Sequence, residues 1–473
     1  MSENKNNMAA VAIQLPKNKR IAVQTGCVFL MMSIAMFGLS LSVLQGPILK
    51  NMNAMNYFSL LTIFSALGLS IMTPIGGKLG DLFGRRNVVV VSSIVASVCG
   101  IGMCIVQTAT PFMILRLLLG AAQGAFMAAP YIITQEINER KNLPKAMGIL
   151  ASSVSIGGFV GSIIAGALAD ANLLGLAISF PVVPLIIGTL LVWFNMPNKK
   201  RETKPVIDVL GIIILTIFIS AFTLTLNFAG KIGWTNIMIL GGFALSIISL
   251  IVFIKVENKA VDPIVPMRLF KNKQYTALLL VGMLAYFYMG PMNVYAPLAV
   301  QQVLGGSTTV SGTLQLPRTI ITMFLPIIAG IWVAKKKENF WKGMAVSAIL
   351  VAISFIPLSF TSSNTSIALY IIMISITGIA ESLRGVTVTA AAQGTLEQKD
   401  MGVGTALVNF GNAISGLISA AVCGVLFDSN INNINVGINL TFIASVISAL
   451  LGLFIILFFV RRYMKKESVK VQD

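Results

Sequence analysis

Long apolar runs recur along this chain, separated by short polar stretches. They fall at about 21–47, 57–79, 88–108, 112–137, 146–170, 173–196, 209–229, 236–255, 275–301, 310–334, 342–361, 366–390, 402–428 and 437–460. A helix needs roughly 20 apolar residues to cross about 30 Å of hydrocarbon. Each run therefore predicts a transmembrane helix, and there are fourteen. Residues 1–20 are polar and end in Lys17, Lys19 and Arg20. The run that follows is too long for the core of a signal peptide, so a retained first helix is expected.

Composition agrees with this reading. Of the 473 residues 56% are hydrophobic and 11% charged, with a mean hydropathy of +0.88. A soluble domain carries about 25% charged residues. A net charge of +18 taken alone would suit a nucleic-acid partner, but the placement of the charges argues otherwise. All but five of the 34 Lys and Arg lie in the tails and alternate loops; the exceptions are Lys50, Lys231, Arg116, Arg318 and Arg384. That bias is the positive-inside rule. An even number of spans and two basic tails predict both termini in the cytoplasm of a multi-pass cell-membrane protein. The cysteines, Cys27, Cys99, Cys104 and Cys423, all fall inside spans, so no disulfide framework is implied. Histidine is absent, which removes histidine metal sites and histidine proton relays. No cofactor and no metal is expected.

Between spans 2 and 3 the chain reads GKLGDLFGRR, Gly77–Arg86. A close, charged turn is expected there, with Gly80 and Gly84 permitting the reversal and Arg85 and Arg86 holding it on the cytoplasmic side. The stretch resembles the signature loop between helices 2 and 3 of the major facilitator superfamily, with Gly77, Leu79, Asp81, Gly84, Arg85 and Arg86 on its main positions. Gly330 followed by Lys335, Lys336 and Lys337 is a faint echo in the second half, without an aspartate. The stretches DVLGIIIL (Asp208–Leu215), VENKAVDPIVPMRLF (Val256–Phe270) and VQQVLGGSTTVSGTLQLPR (Val300–Arg318) are similar to the fourteen-span drug:proton antiporter branch. The resemblance covers essentially everything past the first 20 residues. It implies an all-α fold of two six-helix bundles with two added central helices and a substrate site between the bundles. The expected divisions are a tail (1–20), a first bundle (21–196), a linker (197–208), two added helices (209–255), a second linker (256–274), a second bundle (275–460) and a basic tail (461–473).

The resemblance also assigns roles. In the family the acid of the signature loop contacts the start of a helix in the opposite bundle. Asp81 is thus a gating candidate against the opening of span 13, Met401–Gly404, together with Gly77, Gly84, Arg85 and Arg86. Anchoring of topology alone is the plainer role. Arg116 and Gly120 match the family's pattern in span 4, which implies proton transfer or sensing of substrate polarity; snorkelling of Arg116 is the alternative. Gly148, Gly157, Gly161 and Gly166 resemble the antiporter motif of span 5, except that Ser162 stands where the proline belongs. Such glycines make a smooth face against the other bundle. In span 1, Gly38 occupies the place of the usual intramembrane aspartate.

Among the 16 acidic residues, Glu381 is the one deep in a span. An intramembrane carboxylate is a candidate functional group, and Arg384 lies one turn on. Proton or cation coupling and a structural pair with Arg384 or Arg318 are both open. Arg116, Arg318 and Arg384 against one acid allow a net positive cavity, which favours an anionic or amphiphilic substrate. Candidate cavity residues are Gln123, Tyr286, Met289, Asn293, Gln315, Asn409 and Asn412, an apolar lining with scattered hydrogen-bonding groups. The expected function is secondary active transport by alternating access, with proton-coupled efflux of amphiphilic or drug-like compounds. Small-molecule substrate, protons and membrane lipids are the expected partners, and a monomer is expected. The rivals are a transporter of a specific anion or lipid, and a non-transporting scaffold or sensor. No phosphate-binding loop and no clustered active-site residues appear, so neither an ATP-driven pump nor an enzyme is expected.

Overall fold

A computed structural model describes residues 15–139, 142–198, 208–261, 263–336, 338–397 and 400–464, apart from the side chains of Pro144, Met401, Gly402 and Ala406. Much of the expected N-terminal tail (1–14), Arg140 and Lys141, residues 199–207 of the first linker, Asp262, Lys337 and residues 465–473 of the basic tail lie outside the described residues.

Among the described residues, fourteen helices are long and apolar enough to cross a membrane, matching the sequence expectation. They are α1 (Lys17–Asn51), α2 (Met55–Phe83), α3 (Arg85–Ile105), α4 (Ala109–Ile137), α5 (Lys145–Asp170), α6 (Leu174–Asn195), α7 (Val209–Ile232), α8 (Ile237–Glu257), α9 (Lys273–Gln302), α10 (Thr308–Ala334), α11 (Glu338–Leu358), α12 (Ile367–Gly394), α13 (Val403–Asp428) and α14 (Ile434–Met464).

Several boundaries differ from expectation. α1 does not stop at Pro47 but carries it inside the helix as far as Asn51. The lost Pro47 N–H leaves the Val43 carbonyl free, and Gln301 Nε2 donates to it at 3.0 Å. The charged turn is shorter than expected, because α2 runs to Phe83 and α3 opens at Arg85. Gly84 alone makes the reversal, at φ +86°, a region that favours glycine. Gly80 is helical, and its missing Cβ leaves space for the Arg85 stem, 3.3 Å away.

α4, α6, α9 and α10 are each interrupted. α9 contains a π turn at Pro291–Tyr295. Pro291 cannot bond the Phe287 carbonyl, which instead accepts Ser419 Oγ from α13 at 2.7 Å. α10 breaks at Leu314–Gln315, just before Pro317.

Helices α1–α6 pack together, chiefly as α2 on α4 and α1 on α5 and α6. Helices α9–α14 form the second group, with α12 on α10 and α11, and α14 on α11 and α13. Between the groups α13 meets α2, and α5 meets the start of α10. α7 lies along α2 and α13, and α8 packs on α7. The remaining surface of both added helices is apolar and exposed, including Leu210, Ile213, Ile217, Ile247, Ile248 and Ile251. That surface suits lipid.

Several hydrogen bonds that cross between the groups lie in the half holding Asn51, Asp170 and Asp428. Asp170 accepts the Thr308 and Thr309 amides at 3.0 and 2.8 Å. Ser162 Oγ donates to the Gly312 carbonyl at 2.8 Å, so the residue standing in the motif's proline position ties the bundles. Ser59 Oγ donates to Asp428 at 2.7 Å. Phe58, Tyr295 and Phe427 stack beside that bond, with ring centroids 5.3 to 5.7 Å apart.

Candidate functional site

Three residues apart on α12, Glu381 and Arg384 share a helix face. The guanidinium grips the carboxylate with two bonds, Nε to Oε2 at 2.9 Å and Nη2 to Oε1 at 2.5 Å. Such paired, charge-assisted bonds are strong and directional. Tyr288 donates its hydroxyl to Glu381 Oε2 at 3.2 Å. Arg384 also donates to Asn412 Oδ1 at 3.5 Å and lies 4.9 Å from the Tyr286 ring centre. The structure thus pairs Glu381 with Arg384 and not with Arg318.

Arg318 follows the break in α10. Its Nε donates to Thr377 Oγ1 at 3.2 Å and its Nη2 points to Met289 Sδ at 3.6 Å. Both partners are neutral, so among the described residues no carboxylate is bonded to this positive charge. Gln315 Nε2 donates to Asn293 Oδ1 at 3.0 Å, a bond that spans the two interruptions of α9 and α10.

A cavity of about 300 Å³ opens between the bundles, lined by Ser155 of α5, Arg318, Thr322 and Pro326 of α10, and Glu381, Ser382, Gly385 and Val386 of α12. Arg318 and Glu381 were expected there as buried charges. The seven residues put forward for the wall do not line this cavity. Tyr286, Met289 and Asn412 stand behind Arg318 and Arg384 as their partners, and Asn293 and Gln315 satisfy one another. Asn409 is exposed and Gln123 is buried in α4. Sequence reading missed Ser155, Thr322, Ser382 and Gly385, small or hydroxyl residues that hydropathy alone does not single out.

Arg116 does not snorkel. It is 6% exposed and bonds to no other described residue. Gly120 and Gly124 below it bring α4 against the α2 backbone at Ser65 and Leu69. Gly38 faces open space, with nothing within 4 Å of where a Cβ would stand.

The glycine register of α5 divides. A Cβ on Gly157 would stand 2.5 Å from the Met32 carbonyl, and one on Gly161 2.7 Å from the Met36 Cα. Both therefore press α5 onto α1 of its own bundle, not onto the other bundle as expected. Gly166 alone meets the second bundle, at Thr308 and Thr309. Gly148 faces open space.

Asp81 accepts Arg85 Nη2 at 3.0 Å, and Arg85 Nη1 is bonded to Glu136 at the end of α4. Arg86 Nη1 donates to the Met196 carbonyl at 3.4 Å. The signature turn is therefore braced within its own bundle, with Glu136 as a partner not foreseen from sequence. Gly77 faces open space. The Met401 and Gly402 side chains, expected opposite Asp81, are outside the described residues. Among the described residues, no group of three or more His, Cys, Asp or Glu is placed to hold a metal ion.

The sequence profile of the Major Facilitator Superfamily matches residues 25–420. Multidrug transporter protein MdtP of Bacillus subtilis (strain 168) is 28% identical over 423 residues, spanning 88% of this chain and 77% of that protein. Multidrug resistance protein 3 of the same organism is 24% identical over 400 residues, spanning 82% and 77%. The crystal structure of a peptide transporter, POT, in complex with sulfate shares the fold with a TM-score of 0.71 at 13% identity, covering 94% of this chain and 96% of that one. The nucleoside transporter NupG shares it with a TM-score of 0.67 at 11% identity, covering 93% and 99%. With fourteen membrane-spanning helices and these relatives, the chain belongs to the Major Facilitator Superfamily as a multi-pass membrane transporter, and its likeness is to the fourteen-span drug:proton antiporter branch.

Proposed function

We propose that the protein exports amphiphilic or drug-like compounds in exchange for protons by alternating access, as a monomer in the cell membrane with both termini cytoplasmic. The observation that carries this reading is Glu381, a carboxylate on the wall of an inter-bundle cavity, where Gly38 leaves span 1 without an acid. Intramembrane acids facing a cavity are the groups that proton relays use. The likeness to multidrug transporters supports efflux. With cytoplasmic termini, the half tied by Asp170 and Asp428 is the outer one, and the state described is closed to the outside. In that frame Asp81 biases the opposite closure, and Arg116 serves proton transfer or the sensing of substrate polarity.

The test is substrate-induced proton movement in proteoliposomes, screened across cationic, neutral and anionic compounds. Glu381→Gln is expected to insert and to lose proton-linked transport. Proton flux in that variant equal to wild type removes Glu381 from the mechanism.

A second reading concerns substrate charge. Arg384 is neutralised by Glu381, whereas Arg318 on the cavity wall bonds, among the described residues, neutral groups only. This favours a substrate bearing an acidic group. A response confined to anions in the same screen supports it, and one confined to cations sinks it.

A further inference from the structure

Both added helices read in sequence as long apolar runs. α7 nevertheless carries one row of residues four apart: Gly211, Leu215, Ile219, Thr223 and Asn227, all buried. Residues at this spacing form a ridge along one side of a helix. The next member of the row is Lys231, one of the few basic residues that break the positive-inside pattern.

At its end the ridge meets Asp428, the last residue of α13, whose side chain is 3% exposed. One carboxylate oxygen, Oδ1, accepts Ser59 Oγ of α2 at 2.7 Å. The other, Oδ2, takes Lys231 Nζ at 3.0 Å and Asn227 Nδ2 at 3.4 Å. The same ammonium donates to the Asn56 carbonyl of α2 at 2.8 Å. The bonds form a closed circuit from α2 to α7, from α7 to α13, and from α13 back to α2. Two glycines permit the approach. A Cβ on Gly424 would stand 2.8 Å from Asn227 Nδ2 and 3.0 Å from Ser59 Cβ, and one on Gly230 2.8 Å from Ser429 Oγ.

A nearly buried carboxylate is tolerable only while its bonds are kept. Parting α2 from α13 breaks the Ser59 bond and pulls Lys231 between two acceptors on diverging helices. We propose that α7 is a working part of the closure at this end: Lys231 and Asn227 latch Asp428 and α2 together, and the seam parts only when that latch releases.

Spin labels report the seam directly. Ala171→Cys and Ser363→Cys place them on exposed connections of the two bundles at this end, with the four native cysteines replaced by alanine. Electron–electron distance measurements need neither substrate nor proton gradient, so the result stands apart from the efflux reading. Wild type is expected to show mainly the short distance. Lys231→Met and Asp428→Asn are each expected to raise the long-distance population about tenfold, the loss of a charged hydrogen bond. The double variant is expected to go no further than the stronger single, because both act through one contact. Lys255→Met, at the opposite end of α8, is expected to leave the distribution alone. Should Asp428→Asn fail to yield monodisperse protein, Lys231→Gln at its partly exposed position carries the test. A wild-type distribution in Lys231→Met or Lys231→Gln, or fully additive effects in the double variant, overturns the proposal.

Discussion

Gln301, near the end of α9, donates to the carbonyl of Val43 in α1, the acceptor that Pro47 leaves without a helical partner. The same amide nitrogen reaches Ser311 Oγ at 2.7 Å. A proline in one bundle thus creates the docking point for a side chain of the other. Gln301→Leu is expected to destabilise the purified protein by about 1–3 kcal/mol, the cost of an unsatisfied buried carbonyl. In a Pro47→Ala background Val43 regains a helical donor, and the same substitution is expected to cost less. Equal losses of thermal stability in both backgrounds count against the link.

Glu381 and Arg384 offer a separation of structure from chemistry. Either Glu381→Gln or Arg384→Gln leaves a lone charge among helices, a loss of about 3–5 kcal/mol for a buried pair. Glu381→Gln with Arg384→Gln removes both charges and is expected to recover most of the stability measured by thermal unfolding. Proton-linked transport is expected to stay lost. Recovered transport in the double variant would make the pair purely structural.

Within the α5 glycine register, neighbours are expected to answer differently to one methyl group. Gly157→Ala drives a Cβ into the Met32 carbonyl and is expected to cost about 1–3 kcal/mol by overpacking. Gly148→Ala enters open space and is expected to gain about 0.5–1 kcal/mol of helix stability. Matching effects at the two sites would contradict the assigned contact of α5 with α1.

Asp81 and Glu136 both bond Arg85. Asp81→Asn is expected to slow turnover with substrate affinity nearly unchanged. Combining it with Glu136→Gln is expected to be less than additive in turnover, because the two acids share one guanidinium. Unaltered turnover in Asp81→Asn argues against gating.

Hydropathy made all fourteen helices legible, since each must present about 20 apolar residues to lipid. Interruptions inside the helices were not, because an apolar window registers the same whether or not Pro291 opens a π turn within it. The pair Glu381–Arg384 was readable from its spacing, whereas the neutral partners of Arg318, Thr377 and Met289, come from other helices and leave no local signal. Lys231 stood out only as an exception to the charge rule. Its meaning depends on Asp428, nearly 200 residues away, which no local pattern connects to it.

Asp170 holds Thr308 by its main-chain N–H alone, whereas Thr309 brings both its main-chain N–H and its hydroxyl to the same carboxylate. Almost every amino acid brings a main-chain donor, so this seal is indifferent to which side chain occupies 308, while 309 also supplies a hydroxyl. Only proline would withhold the main-chain donor. A saturation library read out by function should therefore tolerate broad replacement at Thr308 while rejecting proline, should favour serine over apolar residues at Thr309, and should concentrate its intolerance on Asp170.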